Sequence, residues 1–104
     1  IALPKAKSKL IQVVENLPDG FVVTDLDRRV LTANTAFLDL AQLGAEEQAR
    51  GETLERWLGR SGVDLDVLSV NLREHGSVRN FATVLRGEYG SVEEVEVSAV
   101  AVLT

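Results

Sequence analysis

The side chains in this 104-residue chain that could do chemistry are few: one histidine, His75, no cysteine, and two dense acidic groups, Asp64/Asp66 and Glu93/Glu94/Glu96. An imidazole can carry protons or hold a metal, but both tasks need a second ligand or an orienting partner, and the sequence offers His75 neither. Absence of cysteine removes the thiolate nucleophile, the disulfide framework and cysteine-ligated metal together. Asp64 and Asp66 stand where a helix should begin, and the Glu93 group lies along a strand, so both read as solvated faces rather than catalytic pairs. No Gly-rich phosphate loop and no Ser/His/Asp set is present. The expectation is a non-enzyme with no catalytic, cofactor-binding or metal-ligating residues and no cofactor.

Bulk composition agrees with a single soluble domain. Hydrophobic residues make up 45% and charged residues 26%, and no apolar run reaches the length of a membrane span. A formal charge of −5 argues against a phosphate backbone as the chain's own partner, because that contact requires a basic face. The expected location is cytoplasmic, with no membrane contact. A chain that starts at Ile1 and has no methionine is expected to be part of a longer protein.

The elements that would position these residues centre on Leu17 to Phe37. Pro18-Asp19-Gly20 signals a turn, with Gly20 expected to take a conformation that other residues resist. Phe21 to Asp25 and Val30 to Ala33 read as a hairpin, because β-branched and aromatic residues flank the polar Asp27-Arg28-Arg29. Asn34 precedes a change to helical spacing at Phe37, Leu38, Ala41 and Leu43, which makes it an N-cap. Gly20 and Asn34 are therefore assigned structural roles.

Four glycines between Leu43 and Gly62 break any long period, so short helical turns are expected there, with Leu54, Trp57 and Leu58 inward. Trp57 suits a pocket wall or a core; its large area favours the core, and a structural role is assigned. Asp64 to Glu74 reads as a helix stopped by Gly76. Two strands close the chain. Ser77 to Gly87 is expected to set Val78, Ala82 and Val84 on one face and Phe81 and Leu85 on the other. Ser91 to Leu103 places Val95, Val97 and Ala99 opposite Glu94, Glu96 and Ser98, and then becomes apolar on both faces at Val100 and Val102. A strand apolar on both sides implies a covering partner.

Ahead of the turn, Leu3, Ala6, Leu10, Val13 and Leu17 recur at the spacing of a coiled-coil seam, and they are the predicted dimer interface. The competing reading is an amphipathic helix lying on its own domain. Residues 1–17 are read as this amphipathic or linker helix, and 18–104 as the domain proper.

Pro18-Asp19-Gly20, Asp25 with its hairpin turn, Val30 and Asn34-Thr35-Ala36-Phe37 resemble the opening of a PAS (Per-Arnt-Sim) domain. Glu46-Glu47 with Gly51 resembles the second helical-turn region of that family, and Tyr89-Gly90-Ser91 its last hairpin turn. More narrowly, Val13 to Phe37 and Ser77 to Val102 are similar to the PAS domains of the PpsR/CrtJ photosystem-gene repressors. The resemblance implies an α+β fold, with an antiparallel sheet, helices on one face and a fifth, central strand. No sequence remains for that strand after Thr104; it is expected to follow in the parent chain, to come from another chain, or to be lost at a join. Arg28 departs from the family's usual glycine, which suggests a less strained turn.

Functionally, the resemblance implies a non-catalytic signalling and dimerisation module of a bacterial transcriptional regulator. The implied partners are itself, as a homodimer or higher oligomer, and an antirepressor protein, with DNA reached only through a separate domain. The alternative is a PAS sensor binding haem, flavin or a small metabolite. Haem-binding members place the proximal histidine in the helix occupied here by Asp64-Leu65-Asp66-Val67-Leu68, which has no imidazole. Flavin–thiol chemistry is excluded by the lack of cysteine.

Overall fold

Pro18-Asp19-Gly20 turns the chain into β1 (Val22–Thr24), which pairs antiparallel with β2 (Val30–Ala33). The computed structural model describes residues 13, 15–60 and 63–102, so Leu3, Ala6 and Leu10 of the predicted seam lie outside the described residues. Among the described residues the order continues with α1 (Thr35–Leu40), 3-10 turns at Glu46–Gln48 and Leu54–Arg56, α2 (Asp64–His75), β3 (Ser77–Arg86) and β4 (Val92–Val100). The class is α+β with antiparallel pairing, in two ladders, β1–β2 and β3–β4. The chain divides into two units, Ile1–Leu54 and Glu55–Thr104.

In the first unit, Asp25 builds the hairpin turn. Its Oδ1 accepts from the backbone N–H groups of Asp27 and Arg29 at 2.9 and 3.0 Å. Arg28 has φ 64°, so the turn keeps the left-handed residue that a glycine would fill, contrary to the less strained type expected from the sequence. The outer edge of β2 is covered by the chain's own backbone. Val30 N–H donates to Glu52 at 2.9 Å and its carbonyl accepts from Gly51 at 2.9 Å, which removes an exposed edge. Val30, Ala33, Phe37, Ala41, Ala49 and Leu54 are buried and make up this unit's apolar core.

The helix headed by Asn34 is shorter than the apolar spacing suggested, because a Schellman closure ends it at Leu40. Gln42 takes φ 60° and donates to Asp39 O at 3.1 Å, while Leu43 N–H reaches Leu38 O at 2.8 Å. Glycine normally fills that left-handed position. Gln42→Gly is therefore expected to stabilise the chain by about 1 kcal/mol, read as a higher urea midpoint at unchanged slope.

Gly20 answers a different constraint from the one expected of it. Its φ is not among the positive values, but a Cβ there would sit 3.2 Å from Phe37 Cα and 3.4 Å from Leu40 Cδ1. Close approach of the turn to α1, rather than backbone freedom, selects glycine.

In the second unit, α2 packs against β3, with Leu65 and Leu68 buried on the stripe that the 3.6 period predicts. Gly76, at φ 77°, stops the helix, its N–H donating to Leu72 O at 2.8 Å. β3 and β4 then pair along most of their length, and one irregularity changes the expected faces. Val78 pairs with Ala99 and Phe81 with Val97, so β3 carries one extra residue in a bulge around Asn80, which has φ 55°. The bulge puts Val78 in step with Phe81, Thr83 and Leu85 instead of opposite them.

Candidate functional site

Three polar clusters and one exposed strand face are the features from which function has to be built. The first cluster is centred on Asn34, which is 0% exposed. Its Oδ1 accepts from Phe37 N–H at 3.0 Å, capping α1, and from Phe21 N–H at 2.8 Å. Its Nδ2 donates to Asp19 O at 3.0 Å, so one amide locks the turn, the first strand and the helix together. The next residue, Thr35, donates its hydroxyl to Glu15 Oε2 at 3.0 Å.

The second cluster surrounds Trp57, 1% exposed. Its indole N–H donates to Glu88 Oε1 at 2.9 Å, and Glu88 also accepts from Arg56 Nε at 2.7 Å. The Arg56 guanidinium lies 5.5 Å from the indole centroid, within cation–π range. The Trp57 indole first, then Arg56, hold the Glu88 carboxyl below its ordinary range. The sequence reading placed Trp57 inward but missed Glu88; the available signal was that a buried indole N–H requires an acceptor.

The third cluster was not anticipated. Asp64, expected on a solvated face, has a largely buried side chain whose Oδ2 accepts from the Thr83 hydroxyl at 2.6 Å and from Arg60 N–H at 3.0 Å. A hydroxyl beside a carboxylate resembles a nucleophile beside a base, but Thr83 is 2% exposed and no substrate reaches it. Its position between Phe81 and Leu85 on the inner face was the legible clue, because a buried hydroxyl needs a partner.

The Thr83 hydroxyl first, then the Arg60 amide, hold Asp64 below its ordinary value of 3.8. A depressed carboxyl contributes stability that is intact above its ordinary value and is lost as pH falls through the folded value. Stability is thus expected to fall on acidification below the ordinary values of 4.5 for Glu88 and 3.8 for Asp64. Urea midpoints measured across that window should drop less steeply for Asp64→Asn than for the parent chain.

His75 is the last residue of α2; its exposed ring lies 3.9 Å from Glu74. Among the described residues no group of three or more His, Cys, Asp or Glu is placed to hold a metal. No described helix is long and apolar enough to cross a membrane.

The exposed face belongs to β4. Val95, Val97 and Ala99 are half-buried, whereas Glu94, Glu96 and Ser98 alternate outward with Val92 and Val100, which are 64% and 69% exposed. Of the predicted seam, Val13 and Leu17 are described, and both are exposed.

A family model described as a PAS domain matches residues 8–79. Protein CrtJ of Rhodobacter capsulatus is 35% identical over 81 residues, which cover 78% of this chain and 17% of that protein. The chain therefore spans 17% of the length of this curated relative. Among solved structures, the PAS domain of a Colwellia psychrerythraea protein is similar at a TM-score of 0.81 and 16% identity, covering 96% of this chain and 85% of that one. The PAS domain of an HTR-like protein from Haloarcula marismortui is similar at 0.73 and 22% identity, covering 90% and 77%. At these identities the structural likeness speaks to fold alone.

Proposed function

This chain belongs to the PAS domain family, and we infer that it serves there as a non-catalytic signalling and association module inside a larger transcriptional regulator. The likeness to protein CrtJ, with the resemblance to photosystem-gene repressors, supports a repressor as the parent. In that reading DNA is contacted by another domain, an antirepressor protein is a partner, and the location is cytoplasmic. Residues 1–17 act as the association helix ahead of the domain at 18–104.

The observation that supports association is the outward face of β4, where Val92 and Val100 are exposed; of the seam itself, Val13 and Leu17 are exposed as well. Leu3, Ala6, Leu10, Val13 and Leu17 form one seam of a self-complementary interface, and a signal is passed on by altering how that seam packs. Leu10→Glu with Val13→Glu is expected to convert the oligomer to monomer in sedimentation while circular dichroism stays unchanged. An oligomer that survives both charges would count against this seam. Absorption above the aromatic band in the purified chain would instead favour a chromophore-binding sensor.

A further inference from the structure

Two consecutive residues at the head of α1, Asn34 and Thr35, grip the chain on opposite sides of Pro18. Downstream of the proline, the buried Asn34 side chain holds Asp19 O at 3.0 Å and Phe21 N–H at 2.8 Å. Upstream of it, the Thr35 hydroxyl holds Glu15 Oε2 at 3.0 Å, and both of these residues are exposed. Glu15 is helical, and Asn16 N–H closes the last turn onto Val13 O at 3.2 Å. Val13 and Leu17 of the predicted seam therefore lie on either side of the outer grip. Between the grips the backbone has little freedom. Pro18 fixes its own φ and keeps Leu17 out of the helical region, which confines a change of direction to the joint at Asn16 and Leu17.

The two grips differ in how readily they open. Releasing Asn34 leaves buried backbone groups without partners, whereas Thr35 and Glu15 regain water when they part. The outer grip can thus open while the domain stays folded, because local opening of an exposed contact requires far less free energy than global unfolding. We propose that the Thr35–Glu15 bond is a latch that sets the direction in which residues 1–17 leave the domain, and that its opening is the step that alters how the seam packs. This rests on the reading of residues 1–17 as the association helix.

The test combines spin-label distances with sedimentation on the intact chain. Because the chain has no cysteine, Ser8→Cys with Asp39→Cys places one label before the joint and one on α1, and dilution with unlabelled chain restricts the reading to distances within one copy. Thr35→Glu sets two carboxylates against each other, yet puts an acid in the first turn of α1, where the helix favours it. Adding Glu15→Lys replaces the lost bond with an ion pair. The distance distribution is expected to broaden or move in Thr35→Glu and to return in the double variant. The self-association constant should shift at least about five-fold in Thr35→Glu and recover with it. Exchange of Phe21 and Phe37 N–H, both held by Asn34, should stay at the parent rate in each variant and so confirm the fold. A distribution that Thr35→Glu leaves unchanged, or that Glu15→Lys does not restore, would overturn the latch. Changed distances with an unchanged association constant would overturn its role in seam packing. A parent chain that stays monomeric would instead refute the seam, while the distances still judge the latch.

Discussion

Asn34→Leu is expected to remove about 4 kcal/mol of stability, a large share of what a domain of this size possesses. The side chain is 0% exposed; it accepts from Phe21 N–H and Phe37 N–H and donates to Asp19 O. Leucine fills a similar volume and satisfies none of them. Loss of the cap costs about 1 kcal/mol, and each backbone group left buried without a partner adds about 1 to 3 kcal/mol. Thermal unfolding should fall by about 15 °C or more.

Asn34→Asp separates the two functions of the amide. A carboxylate still accepts from Phe21 and Phe37, but it cannot donate to Asp19 O, and it brings a buried charge up against that carbonyl oxygen. The introduced carboxyl is therefore expected to titrate above its ordinary range when folded. A raised carboxyl contributes stability at low pH that is lost as pH rises through the folded value, so this variant should approach the parent in acid and fall behind it near neutrality. A constant difference across the pH range would refute the donor role of Nδ2.

The second large effect is expected at Trp57, where alanine should cost about 3 to 5 kcal/mol. Truncation empties the most completely buried large side chain in its unit and leaves the Arg56 guanidinium without the ring beneath it. Trp57→Phe retains most of the apolar area but loses the bond to Glu88, a change worth about 1 kcal/mol. In that variant the Glu88 carboxyl should move back towards its ordinary range, because the largest cause of its depression has gone. Trp57 is the chain's single tryptophan, so unfolding must be followed by circular dichroism instead of indole fluorescence.

These two residues also mark the boundary between local and tertiary information. Asn34 was legible as an N-cap because capping is a local matter, decided within three residues of chain. Its bonds to Phe21 and Asp19 span 13 and 15 positions, and no periodicity encodes them. Trp57 could be placed inward from its size alone, whereas its acceptor lies 31 residues away at a hairpin turn.

What the amino-acid sequence by itself determined is therefore the set of features governed by neighbouring residues. These are the Pro18-Asp19-Gly20 turn, the Val22–Thr24 and Val30–Ala33 hairpin, the Leu65/Leu68 stripe of α2 and its stop at Gly76. Only the tertiary structure decided the rest. The Asn80 bulge moves Val78 onto the Phe81 face, and Thr83 holds Asp64 from 19 positions away. Gly20 is required by the nearness of Phe37, and Arg28 and Gln42 take left-handed conformations that their residue types disfavour. The physical reason is common to all of them: propensity and period report what a segment prefers alone, while close packing between distant segments sets where the chain must depart from that preference.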